Sequence, residues 1–118
     1  MLLTVLRAKI HRAVITETNL DYIGSITIDE SLLKEADIHP YEQVHVWNLT
    51  NGGRLITYAI PGEQGSGVIC LNGAGAHLNS VGDRVIIAAF GLVEESEADK
   101  IKAKIITLDD DNKIKRIL

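Results

Sequence analysis

Apolar and polar positions alternate with period two along much of the chain, as in strands that bury one face. Leu2 to Ile10 reads as a strand, with His11 to Thr16 available to continue it. Leu20 to Asp29 ("LDYIGSITID") reads as another, interrupted by Gly24 and Ser25. Ser31 to Ala36 predicts a short helix, with Asp29 or Glu30 near its positive end. Gln43 to Leu49 alternates around Val44 and Val46. "TNGG" (50–53) is a hairpin signal and leads into a strand from Arg54 to Ile60. Residues 61–67 read as a loop, Val68 to Leu71 as a short strand, and 72–77 as a small-residue loop or single helical turn. A turn at 81–83 precedes a nearly all-apolar strand, Arg84 to Leu92. A polar helix at 94–99, a strand from Ile101 to Leu108, a turn at 109–112 and a tail from 113 complete the pattern. Many short strands with glycine-rich turns predict a mostly β fold, a barrel or a sandwich.

Composition narrows this. A chain of 118 residues suits one domain, and 46 % hydrophobic residues supply a core. Aromatics are only 4 %, so that core is aliphatic. A net charge of −4 and a pI near 5.5 argue against a nucleic-acid partner. The single cysteine, Cys70, excludes an intrachain disulfide and a cysteine metal cluster and fits a reducing cytoplasm. The apolar start, Met1 to Leu6, is too short for a membrane span and its charges lie on the wrong side for a signal peptide.

The interrupted strand raises the first chemical question. Glycine inside a strand costs backbone entropy and packs no side chain. Gly24 does, however, leave its carbonyl unscreened beside the Ser25 hydroxyl. In a strained backbone that hydroxyl can attack the carbonyl and turn the amide into an ester. A β-bulge glycine followed by an ordinary serine explains the dipeptide equally well. Elsewhere, "KIH" puts Lys9 and His11 on one strand face, and "RLITY" does the same for Arg54, Ile56 and Tyr58. "NGAGA" (72–76) is a tight turn or a run of N–H groups suited to an anion.

Together, in this order and spacing, "AKIHRA" (8–13), "DYIGSITID" (21–29), "WNLTNGGRLITYAI" (47–60), "GSGVICLNGAGAH" (65–77) and "VGDRVIIAAF" (81–90) resemble the pyruvoyl-dependent aspartate 1-decarboxylases over nearly the whole chain. The resemblance implies a double-psi β-barrel, a homotetramer and self-cleavage between Gly24 and Ser25, giving chains 1–24 and 25–118. Ser25 would become a covalent pyruvoyl group, with neither metal nor pyridoxal phosphate. That group would form an imine with L-aspartate, release CO2 and yield β-alanine for pantothenate and coenzyme A. By the same resemblance Arg54 grips a substrate carboxylate, Lys9 and His11 add positive potential, and Tyr58 donates the proton. Thr57 holds the Gly24 carbonyl, and Asn72, Gly73, Ala74 and Gly75 form the substrate loop. Tyr22 shapes the cleavage bond, and Trp47 is a pocket wall, a core residue or a subunit contact.

Strict alternation sends Thr57 and Tyr58 to opposite faces, which favours a site between subunits. Three small departures from the family pattern are Gly75 where an alanine is usual, Ile26 where some members have cysteine, and a short C-terminal tail. Cleavage is either spontaneous or assisted by a maturation factor. Two other readings remain: an amide hydrolase using an N-terminal serine, and a non-enzymatic β-barrel binding module.

Overall fold

Alternation along the first strand decides what goes inside. In β1 (Leu2–Val14), Ala8, Ile10 and Ala13 are buried, while Lys9 and His11 share the opposite face. The computed structural model describes residues 1–118. It continues with β2 (Glu17–Asn19), β3 (Ser25–Asp29), helix α1 (Glu30–Ala36), β4 (Gln43–Asn48), β5 (Arg54–Gly62) and β6 (Ile69–Asn72). A 3-10 turn (Gly73–Leu78), β7 (Arg84–Glu94), a second 3-10 turn (Glu95–Lys100), β8 (Lys104–Leu108) and β9 (Ile114–Ile117) follow.

The strands form one sheet in the order β2-β6-β3-β5-β4-β7-β1-β8-β9. Three of its pairs are parallel: β1 with β8, β2 with β6, and β3 with β5. This is a mostly β, barrel-like architecture, wrapped around fully buried Ile10, Ile26, Ile28, Ile69, Leu71 and Ile87. No aromatic ring lies in that core, as the composition implies. No helix is long and apolar enough to cross a membrane.

One buried carboxylate ties several elements together. Asp29 caps α1, accepting from the Ser31 N–H at 2.8 Å and the Ser31 hydroxyl at 2.7 Å. It also accepts from the N–H groups of Gly65 at 3.0 Å and Gly67 at 2.8 Å. Burial pushes its carboxyl up, but these donors outweigh burial and hold it below the usual carboxylate range. The hairpin at 50–53 closes as its residues predict. Asn48 Oδ1 accepts from Thr50 and Asn51, and Gly52 takes a positive φ of 79°.

The structure corrects several boundaries. Leu20 to Gly24 is not strand: these residues form a turn and bend, so Ser25 opens β3 and does not interrupt a longer strand. Leu20 and Tyr22 alternate like strand residues yet are exposed. Residues 15 and 16 leave the first strand, and β2 follows as a separate short element. β5 runs two residues into the predicted loop, and β8 starts three residues late. The tail from 113 contains β9, antiparallel to β8. β9 has no alternating pattern of its own and takes its conformation from that pairing.

Candidate active site

Antiparallel pairing of β3 with β6 sets Ser25 opposite Asn72 and Thr27 opposite Cys70. Asn72 Nδ2 donates to Ser25 Oγ at 2.9 Å and to Thr27 Oγ1 at 3.0 Å. The Cys70 thiol donates to Asn72 Oδ1 at 3.2 Å. Ser25 and Asn72 are only 2 % and 4 % exposed, so these bonds lie in a medium that strengthens them. The site opens onto a cavity of about 200 Å³ lined by Gly24, Ser25, Thr57, Asn72, Ala74 and Gly75, with four apolar neighbours.

Backbone strain is concentrated at Ser25, whose φ is 129°. A side-chain-bearing residue held there costs about 1–3 kcal/mol. Gly24 does not carry that strain. Its φ is not left-handed, and a Cβ on it would meet nothing within 4 Å. The tight glycine is Gly73, at φ 63°. A Cβ there would stand 2.8 Å from the Gly24 nitrogen and 3.0 Å from the Tyr22 carbonyl oxygen. The 73–78 turn therefore presses directly on the backbone before Ser25. Gly75 is under no such demand. A Cβ on it would lie 3.3 Å from Leu55 Cδ2, a side-chain end able to give way, so alanine would fit there. Ile26 points into the core.

The other predicted residues lie elsewhere on the chain. Hairpin register pairs Trp47 with Arg54, and the Arg54 guanidinium carbon sits 5.1 Å from the Trp47 ring centre. His45 joins this outer face, edge-on to Phe90 at 4.9 Å. Trp47 is thus a surface wall and not a core residue. Tyr58 stands 6.2 Å from Tyr41, in a groove shared with Tyr22, Ile23 and Ile60. His11 borders a groove with Arg12, Arg84 and Asp109 to Asp111, where the Arg84–Asp110 ion pair forms. His11 Nδ1 is buried with no hydrogen-bond partner. Burial first, then the charges of Lys9 and Arg12, lower the His11 pKa. Near neutral pH the imidazole is uncharged, so of this pair only Lys9 brings positive potential.

A single chain therefore gathers Gly24, Ser25, Thr57, Asn72, Ala74 and Gly75 around one cavity, with Gly73 packed against the Gly24 backbone. It does not bring Lys9, His11, Trp47, Arg54, Tyr22 or Tyr58 into it. β5 divides the two sets. Thr57 turns toward Ser25, while Arg54 and Tyr58 turn away, as strict alternation requires. Ile56 borders both the Ser25 cavity and the Trp47–Arg54 face. Thr27, Cys70, His45 and Phe90 are site neighbours that the sequence reading does not single out. Period two was the available signal for the first pair, since it puts Thr27 beside Ser25 and Cys70 beside Asn72.

Chemically, the cavity holds a buried hydroxyl next to an unscreened carbonyl, with an amide donor fixed on the oxygen. Comparison with known proteins bears on what that serves. A family model described as aspartate decarboxylase matches residues 1–115. The chain is 55 % identical over 117 residues to the aspartate 1-decarboxylase of Carboxydothermus hydrogenoformans, covering 99 % of this chain and 92 % of that protein. It is 56 % identical over 108 residues to the enzyme of the same name from Myxococcus xanthus, covering 92 % and 83 %. Against the Bacillus cereus (strain G9842) enzyme it is 54 % identical over 118 residues, covering 100 % and 93 %.

Proposed function

The chain belongs to the aspartate decarboxylase family, and from that premise we propose that it decarboxylates L-aspartate to β-alanine with a group made from its own Ser25. The observation that carries this assignment is the buried Ser25 hydroxyl, held by Asn72 on a strained backbone directly after Gly24.

Maturation would begin with attack of Ser25 Oγ on the Gly24 carbonyl carbon. The C–N bond breaks as the hydroxyl proton passes to the Ser25 nitrogen, leaving an ester. Thr57, on the wall of the same cavity, would hold that carbonyl. Loss of the Cα proton and departure of the Gly24 carboxylate then leave a dehydroalanine at residue 25. Water supplies the second carbonyl oxygen and ammonia is released. The pyruvoyl group so formed occupies the place of Ser25 itself, so it needs no further room. Asn72 Nδ2, now 2.9 Å from Ser25 Oγ, is a donor suited to an oxygen there. The residues present therefore fit the group. It would supply an electron sink for the bond to the departing carboxylate.

The remaining steps fall to side chains. Arg54 would take a substrate carboxylate with two parallel hydrogen bonds, its guanidinium plane steadied on Trp47. Lys9 would add positive potential. His11, uncharged near neutral pH, would serve as a neutral hydrogen-bonding wall. Tyr58 would deliver a proton to the carbon that loses CO2. The N–H groups of Gly73, Ala74 and Gly75 would border the substrate.

These groups occupy separate faces of one chain, so the working site needs more than one copy. A homotetramer supplies them. Exposed Leu20, Tyr22, Ile23 and Ile56 fit burial against another copy. We infer a cytoplasmic location, where the free Cys70 stays reduced. The product β-alanine would feed pantothenate synthesis. Incubation of purified protein with L-aspartate tests the reading. It predicts β-alanine and CO2 in equal amounts, and folded, cleaved protein that yields neither contradicts it.

A further inference from the structure

On the reading that Ser25 attacks Gly24, on which this inference rests, we propose that Cys70 is a positioning residue for that reaction: its thiol fixes which way round the Asn72 amide sits. The two residues share one face of β6, both buried, with Cys70 Sγ 3.2 Å from Asn72 Oδ1. The far end of the amide donates to the Ser25 and Thr27 hydroxyls. Those hydroxyls cannot decide the orientation, because each can donate or accept. A reversed amide would exchange donor for acceptor and meet both of them equally well.

The thiol breaks the tie. Burial, then the nearby Glu17 carboxylate, pushes the Cys70 pKa up to about 11, so the thiol keeps its proton near neutral pH. Glu17 is paired with Cys70 between β2 and β6 and competes for the single S–H, but the side-chain acceptor within hydrogen-bond distance of the thiol is Asn72 Oδ1. Sulfur accepts hydrogen bonds poorly. An amide turned the other way would aim Nδ2 at that poor acceptor, whereas Oδ1 meets an S–H able to donate.

The orientation matters for Ser25. With Nδ2 on its oxygen, the Ser25 proton is not tied to the amide and is free to pass to the Ser25 nitrogen. The same donor stays on the oxygen and stabilises the charge that builds when the Gly24 carboxylate leaves. In the reversed amide, Oδ1 would hold the hydroxyl proton and no amide donor would face that charge.

The test follows cleavage of the full chain on denaturing gels during cell-free synthesis, with thermal melting as the control for folding. Cys70→Ala should melt close to wild type but cleave about ten-fold more slowly, the scale of one lost hydrogen bond. Cys70→Ser keeps a donor and should recover the rate to within about two-fold. Should Cys70→Ala fail to fold, Cys70→Val fills the space without a donor and carries the same expectation. Wild-type cleavage by the folded Ala or Val variant overturns the proposal, as does a Ser variant equally slow. A wild-type chain that stays whole both in this synthesis and when purified from its own cells, where any maturation factor is present, overturns the Ser25 reading beneath it, a separate and recognisable result.

Discussion

Arg54 and Tyr58 share a strand face but would do different work, and two substitutions separate them. Arg54→Lys keeps the charge and loses the planar fork that matches a carboxylate. Cleavage should be normal and the KM for L-aspartate should rise about ten-fold, for roughly one charge-assisted hydrogen bond lost. An unchanged KM in steady-state kinetics would remove Arg54 from the substrate site. Tyr58→Phe keeps the ring beside Tyr41 and loses only the hydroxyl. It should cleave fully yet turn over about 10²–10⁴-fold more slowly, the usual worth of a general acid. CO2 release measured beside gel-quantified cleavage decides this, and wild-type turnover would assign the proton to another group. The hairpin at 50–53 was legible, but the register that sets Trp47 opposite Arg54 was not, because a turn closed at 50–53 would face Arg54 with Leu49. Nor was the strain at Ser25. Nothing in a sequence distinguishes a serine at φ 129° from one at an ordinary strand angle.

At the scale of elements, Asp29 joins β3, α1 and the loop at 65–67, so its ionisation is linked to stability. Its folded pKa lies below the unfolded value, so the unfolded chain binds more protons as pH falls. The stability it contributes is present above about pH 4 and lost as pH drops through the folded pKa. His11, also lowered on folding, acts with the same sign from about pH 6.5 downward. The melting temperature should therefore fall in two stages on acidification, and Asp29→Asn should abolish the second. Asp29→Asn should also cost about 1–3 kcal/mol at pH 7, the scale of hydrogen bonds to a buried charge. A variant with the wild-type acid profile would contradict this role. The cap on α1 was legible because an acid precedes an amphipathic run. The reach to Gly65 and Gly67 was not, since it depends on how the 63–68 loop folds back. The same limit hid the end of the strand before Ser25. Leu20 and Tyr22 carry strand-like alternation, but no core receives them.

For the whole molecule, the fold class follows from period two and glycine-rich turns, and the pairing of Ser25 with Asn72 does not. That pairing joins residues 47 positions apart and needs the topology of the sheet. Opposite facing of Thr57 and Tyr58 was readable, and it leads to the least local expectation, that the site is completed by another copy. Light scattering in solution should give about four times the 12.9 kDa chain mass. A monomer that still decarboxylates L-aspartate would contradict a shared site. Every part of the reading nevertheless depends on what becomes of Ser25. The most direct measurement is the intact mass of the purified protein under denaturing conditions. Two species should appear, residues 1–24 with a free carboxylate and residues 25–118 lighter by one ammonia than a fragment beginning with serine. Ser25→Ala should give a single uncleaved mass and no β-alanine. A wild-type fragment that retains an N-terminal serine, or an active chain that is never cut, would contradict a pyruvoyl origin for the activity.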